Sequence, residues 1–232
     1  KPFFILLNQK KMRCFDLEVQ PVQVALFFGN FVNLWLLKIF WTMSVYELDK
    51  TFDKINFKET PLPKGDYEFC SFNNCDFSEA DLFSVSFTEC QFVNCNFSLT
   101  KFGRTSFRDV KFNDCKLMGL HFENCNPFGL SFCFEDCQIL HSSFYQQNIA
   151  KTLFKNCRII ETDFTETNLS YVVFDNSDLS GSVFSGSILE RTDFRTAKYF
   201  SVDLSKNKVK KAKFSAHNLV GLLDNYDLEI DS

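Results

Sequence analysis

The chain has 232 residues, 45% of them apolar, enough for a sizeable core, and a formal charge of −4 that argues against a general nucleic-acid binder. Its aromatic content is lopsided, with 31 Phe against 2 Trp and 6 Tyr. A mixed core would draw on Leu, Ile and Val more evenly, so the bias points to a single structural demand for Phe, made many times over.

Residues 1–42 form a non-repeat N-terminal extension. The stretch 22–39 is mostly apolar, but Gly29, Asn30, Asn33 and Lys38 interrupt it, and a membrane anchor needs a cleaner run of about 20 residues. No small-residue cleavage site follows. The leading reading takes Met43 as the biological start, with the preceding residues foreign to the native protein; a membrane tether and a genuine cap stay open beside it. Residues 43–66 are expected to hold the N-terminal cap and first strands. Pro61 and Pro63 suit an open edge there, because Pro cannot extend a ladder.

The repeat occupies 67–214. Stepping by five from Phe72 to Phe122 meets eleven large apolar residues, among them Phe77, Leu82, Phe87, Phe107 and Leu117. Phe52, Phe57, Leu62 and Tyr67 extend this register backwards. It slips by two residues across 124–133, around Asn126, Pro127, Phe128 and Gly129, and resumes at Phe134. From Phe134 to Leu219 all eighteen steps are large and apolar, Tyr199, Leu204 and Val209 included. Neither a helix nor a plain strand gives this period. A chain that turns a corner every five residues does, with one side chain inward per short side. The residue two before each centre is small or modest, so it too must point in near a corner.

In the second register Phe recurs every ten residues, from Phe134 to Phe194, with Ile, Leu or Tyr between. Phe should therefore line two opposite walls and smaller residues the other two, which fills the interior without voids. Cys70, Cys75, Cys90, Cys95, Cys115, Cys125, Cys137 and Cys157 share the small inward place. They read as buried free thiols and not as zinc ligands, since Cys133-x3-Cys137 has no partner pair. A reducing cytoplasm is the compartment this implies. After Phe214, Ser215 should N-cap a short helix through about Asp224, with Leu219, Leu222 and Leu223 closing the core. The cap spans 215–232, and 227–230 is expected to add a last strand.

The segments Cys75-Asp76-Phe77-Ser78, Ala80-Asp81-Leu82, Thr162-Asp163-Phe164, Thr167-Asn168-Leu169-Ser170, Ser177-Asp178-Leu179-Ser180 and Thr192-Asp193-Phe194 resemble the pentapeptide repeat, A(D/N)LxX. The resemblance covers most of the chain. It implies an all-β fold: a right-handed, quadrilateral parallel β-helix of about eight coils with a short C-terminal capping helix, four repeats to a coil. Coils at the ordinary strand spacing of about 4.8 Å make a rod roughly 40 Å long. Residues twenty apart then stack. Glu135, Lys155, Asp175 and Arg195 form one column of alternating sign, Arg158, Asp178 and Lys198 another, and Asp81, Lys101 and His121 a third. Asn74 and Asn94 stack under Asp114 as an amide ladder, and Glu89 meets Asp109 as a like-charged pair.

No catalytic constellation accompanies the repeat. His121, His141 and His217 lie on separate repeats with no nucleophile around them, and no phosphate-binding glycine motif occurs. The expectation is therefore a non-catalytic scaffold that binds a protein partner, with no cofactor, metal, small-molecule substrate or direct nucleic-acid contact. The alternative comes from the resemblance alone. Quinolone-resistance members of the family are implied to bind DNA gyrase and topoisomerase IV as acidic mimics of duplex DNA, protecting them from quinolones or toxins. From Asp66 to Leu204 the chain carries 19 acidic and 11 basic side chains, a net −8. It lacks the long loops of those members, and no comparably long dimerising helix fits after Ser215. Glu89, Asp109, Glu161, Asp163, Glu166, Glu190, Asp193 and Asp203 make the candidate acidic interaction surface, and a homodimer stays open.

Overall fold

The computed structural model describes residues 44–226 and residue 228. The expectations for residues 1–42, including the apolar stretch 22–39, fall outside that range, and of the strand expected at 227–230 only Leu228 is described. Among the described residues no helix is long and apolar enough to cross a membrane.

Each stretch of five residues makes one flat side of a four-sided coil, and successive coils pair in parallel, usually with a register of twenty residues. The first side is a four-stranded sheet running from Val45–Leu48 to Ser106–Arg108, and the second is a seven-stranded sheet from Thr51–Asp53 to Val173–Asp175. The third carries three strands, Lys116–Met118, Gln138–Leu140 and Arg158–Ile160. The fourth is held by isolated bridges such as Asp81↔Lys101 and Asp163↔Val183. Hydrogen bonds between coils do the work that a conventional sheet does, which satisfies backbone groups that the narrow tube would otherwise bury unpaired.

The five-residue code has a local cause at every place. The central residue and the one two before it point inward, and both are buried throughout the middle coils. Two after the centre the backbone turns the corner in the left-handed region: twenty-four non-glycine residues, from Asp49 to Lys211, have φ between 49° and 68°. That conformation costs most residues about 1 kcal/mol or more and persists because the coils on either side over-determine it. The small inward residue has a second duty. Its hydroxyl or thiol donates to the carbonyl of the central residue in the coil before, as in Thr167 Oγ1 to Phe144 O (2.8 Å), Ser187 Oγ to Phe164 O (2.7 Å) and Cys95 Sγ to Phe72 O (3.3 Å). Ser, Thr and Cys therefore dominate this place for their donors as well as for their size.

The interior is a stack of rings. Phe52, Phe72, Phe92, Phe112, Phe134, Phe154, Phe174, Phe194 and Phe214 lie one over another with centroids 4.7 to 5.3 Å apart. Phe87 superposes on Phe107 at 5.5 Å. In the upper coils a second phenylalanine stack on the opposite side, Phe144 to Phe184, meets the first edge to face, as with Phe144 and Phe154 at 6.4 Å and 83°. The ten-residue alternation thus places phenylalanine on opposite walls, in the T-shaped arrangement that aromatic quadrupoles favour.

The slip is a local insertion. Phe112 pairs with Phe134, twenty-two residues on, whereas Asn126 still bonds Ser106 at twenty. The two extra residues are taken up in 127–131, where Phe128 turns outward and is 77% exposed while Leu130 and Phe132 fill the tube.

The stretch 199–207 departs from the expected register, while Lys208 and Lys213 still pair twenty residues from Ile188 and Asp193. Tyr199 is not a core residue: it occupies a corner, 74% exposed, and Phe200 enters the tube instead, its ring 5.2 Å from Phe194 and 5.7 Å from Phe214. Burying Tyr199 would strand its hydroxyl, a problem that Tyr67 avoids by donating to Pro63 O at 2.7 Å. Leu204 is likewise exposed, and Val202 and Asn207 are the buried residues around it.

The C-terminal cap is a 3-10 helix, Ala216–Leu222, begun at Ser215, whose N–H donates to Asn218 Oδ1. Leu219 is exposed, contrary to expectation, and Leu222 packs on the core. Asn218 Nδ2 donates to Phe194 O at 2.8 Å, and Val202 N to Gly221 O, so polar bonds close the tube where a leucine lid was expected. An added Cβ at Gly221 would lie 2.1 Å from Phe200 O, which makes glycine obligatory there.

Candidate protein-binding surface

The residue before each centre explains the recurrent Asp and Asn. Its side-chain oxygen accepts the N–H two residues on, as in Asp76 to Ser78 (2.9 Å), Asp163 to Thr165 (2.8 Å) and Asp178 to Ser180 (3.0 Å). These carboxylates shape turns, an example of local side-chain bonding that competes for the backbone.

The expected charge columns stack in register but mostly do not pair. Glu135 and Lys155 form an ion pair, while Asp175 accepts from Thr196 Oγ1 and Arg195 reaches sideways to Asp193 at 2.8 Å. Arg158, Asp178 and Lys198 superpose, yet Asp178 binds Ser180, and His121 turns to Glu123 at 2.8 Å. The cause is simple: a partner two residues away is held by the turn, whereas one a coil away must be reached by two flexible side chains. The amide ladder forms between Asn94 Nδ2 and Asn74 Oδ1 at 2.8 Å and continues from Asn74 down to Asp53, while Asp114, expected above Asn94, does not join it. It is repeated higher up by Asn156 with Asp136 and Asn176 with Asn156.

The eight candidate acids do not share one surface. Glu89 and Asp109 sit at the corner between the first and second sides, with Asp109 accepting from Ser131 Oγ at 2.8 Å. Glu190 lies on the first side. Asp193 lies on the second, buried between Arg195 and Lys213, whose positive charges hold its carboxyl below the usual range, the Arg195 hydrogen bond foremost. Asp203 stands in the stretch that leaves the register, ion-paired with Lys206 at 3.3 Å. The other three come together: Asp163 is on the fourth side, and Glu161 and Glu166 occupy the corners that bound it. Between them Val183 is 51% exposed, stacked on Asp163. Gly181 and Gly186 stand directly over Glu161 and Glu166 in the left-handed conformation, where an added Cβ would lie 3.0 and 3.3 Å from the glutamate Cγ atoms. The result is a polar side with a single exposed valine, bounded by carboxylates. Glu161 is reached by His141 at 3.0 Å and Glu166 by Gln146 Nε2 at 2.7 Å.

The thiols line the tube. Cys75, Cys95, Cys115, Cys137 and Cys157 form one inward column, each donating to a backbone carbonyl of the coil before, and Cys70 and Cys90 form a second. Burial pushes the Cys90 thiol up to about 12 and raises that of Cys125. Cys133 alone among the nine described cysteines is partly exposed. The three histidines remain apart. Sequence reasoning passed over the exposed aromatic residues Phe69 and Tyr171; the available signal was a large ring at the corner place, where polar residues otherwise stand.

A family model described as a pentapeptide repeat region matches residues 65–144 and 130–199. No curated protein matches the chain. Among solved structures, a trypsin-treated form of QnrB1, a plasmid-mediated fluoroquinolone resistance protein, is 17% identical, with 82% of this chain and 99% of that one covered and a TM-score of 0.46. HetL, a pentapeptide repeat protein involved in heterocyst differentiation regulation from the cyanobacterium Nostoc sp. strain PCC 7120, is 11% identical over 77% of this chain and 92% of its own, with a TM-score of 0.37. Likeness of that order leaves those proteins' activities with them. The family model, by contrast, spans more than half of the chain and coincides with the five-residue sides seen in the fold, so the chain belongs to the pentapeptide repeat family.

Proposed function

We propose that this protein is a non-catalytic binding scaffold and that its fourth side, between Tyr145 and Ser205, docks a protein partner with a basic surface. The supporting observation is the group of carboxylates around Val183, where Gly181 and Gly186 leave Glu161 and Glu166 uncovered. Long repeat walls serve as extended binding surfaces, and clustered acidic charge steers a basic partner. A reducing cytoplasmic setting suits the buried thiols. The test is a photo-crosslinking residue at Val183 or, on the third side, at Ile160, in the producing cells. A discrete adduct from Val183 and none from Ile160 supports the reading; equal yields from the two sides refute it.

A second reading keeps the partner but names it: an acidic mimic of duplex DNA acting on DNA gyrase or topoisomerase IV. The net −8 from Asp66 to Leu204 favours it, and dispersal of the acids over several sides weighs against a continuous phosphate-like face. Supercoiling by gyrase, with and without a quinolone, decides it. No change at about 10 µM protein, a concentration well above a typical functional affinity, ends that reading.

A further inference from the structure

The corner between the first and second sides carries one residue per coil, all in the same left-handed conformation. Below the slip the column reads Asp49, Phe69, Glu89, Asp109. Above it the column reads Lys151, Tyr171, Arg191, Lys211. Each half is charge, ring, charge, charge, acidic in the lower half and basic in the upper, and every one of these side chains is exposed. Among the described residues none of the six charged members takes part in an ion pair, although Arg191 lies over the Tyr171 ring at 5.4 Å. The corner between the second and third sides, by contrast, satisfies its groups internally through the amide ladder.

We propose that this edge is a homodimer interface, two copies lying side by side and antiparallel about a two-fold axis at the level of the slip. Turning the column end for end about that level sets Asp49 against Lys211 and Asp109 against Lys151 of the mate. Phe69 meets Arg191, a cation over a ring, and Glu89 meets Tyr171, a carboxylate before a phenol hydroxyl. The axis itself passes beside Phe128, the most exposed large apolar residue among those described, and Cys133 flanks the edge at the same level. Single surface ion pairs are weak, but a two-fold axis uses every pair twice, along a contact roughly 38 Å long at about 4.8 Å per coil. A parallel, staggered arrangement would also match opposite charges, but it engages half of each column and leaves the other half open, so it grows into filaments where the antiparallel pair closes.

Sedimentation of the full chain tests this. The expected species at about 50 mM salt is a dimer that dissociates as salt rises to about 500 mM, because the contacts are exposed and screened. Asp109→Lys alone and Lys151→Asp alone should each weaken dimerisation at least about tenfold, and the two together should restore it, which a mere folding defect in either variant would not. Phe128→Ser should weaken it as well. A monomer at about 100 µM in low salt, a dimer indifferent to the charge exchange, or growth beyond two copies would each overturn the proposal. The fourth side stays uncovered in this dimer, so the outcome is independent of the partner reading above.

Discussion

Replacing Phe154 by Ala removes a ring from the middle of the longest stack. Phe154 is fully buried, with Phe134 and Phe174 stacked on it at 5.1 Å each and Phe144 and Phe164 edge-on at 6.4 and 6.3 Å. Phe-to-Ala changes in cores cost about 3–5 kcal/mol, and the larger values belong to sites that cannot collapse. This site cannot, because neighbouring coils hold it by backbone bonds such as Asn156 N to Asp175 O at 2.8 Å and Ile159 N to Asp178 O at 2.7 Å. The cost should therefore lie near 4–5 kcal/mol, which for a chain of this size is a fall in Tm of about 10–15 °C. Phe154→Leu keeps most of the volume and should cost about 1–2 kcal/mol. Phe128→Ala, outside the tube at the slip, should stay within about 0.5 kcal/mol when all variants are compared at about 500 mM salt, where the proposed dimer is dissociated. Circular dichroism during thermal and urea unfolding reads all three. A Phe154→Ala variant within about 1 kcal/mol of wild type, or no worse than Phe128→Ala, would refute the stacked interior.

The same reasoning reaches the other places of the five-residue code. Leu99, exposed at a corner with φ 59°, should tolerate Gly with a gain of up to about 1 kcal/mol, whereas Val should cost about 1–2 kcal/mol, both read from urea midpoints. Thr167→Val keeps the shape but removes the Oγ1 donor to Phe144 O, and should cost about 1–2 kcal/mol in the same assay. In a Cys14→Ser background at about pH 8, iodoacetamide should modify native protein at Cys133 and spare the eight buried thiols until denaturant is added, as mass spectrometry will show. Asp193 titrates below the ordinary carboxylate range in the folded state, so its stabilising pairing is present above the unfolded value near 4 and is lost as pH falls through the lower folded one; Asp193→Asn should flatten the acid limb of the stability–pH curve, and an unchanged limb would refute that assignment.

The fold was legible because the five-residue period forces each Phe or its aliphatic substitute inward, a constraint that no neighbour can override while coils stack above and below. Legibility failed where that stacking ends. At Tyr199 the period continues in sequence, yet with the last coil near its end the tube accepts Phe200 instead, and only the relative burial of two adjacent rings decides between them. Leu219 failed for the same reason, since a lid is judged by what lies beyond it. The charge columns were placed correctly, but stacking alone does not fix pairing: twenty-residue spacing brings Asp178 over Arg158, yet the turn offers Asp178 the closer Ser180, while Glu135 and Lys155 do pair. Of the candidate acids, Glu161, Asp163 and Glu166 were visible as a local run, whereas their uncovering depends on Gly181 and Gly186 one coil away.

The most direct measurement is a crystal structure at side-chain resolution, read at Phe112, Phe134 and Phe154. The account predicts three parallel rings at about 5 Å spacing, twenty-two residues apart across the slip and twenty above it, with Phe128 outside the tube. Rings from these positions found on separate elements, or a uniform register of twenty with Phe128 buried, would contradict it.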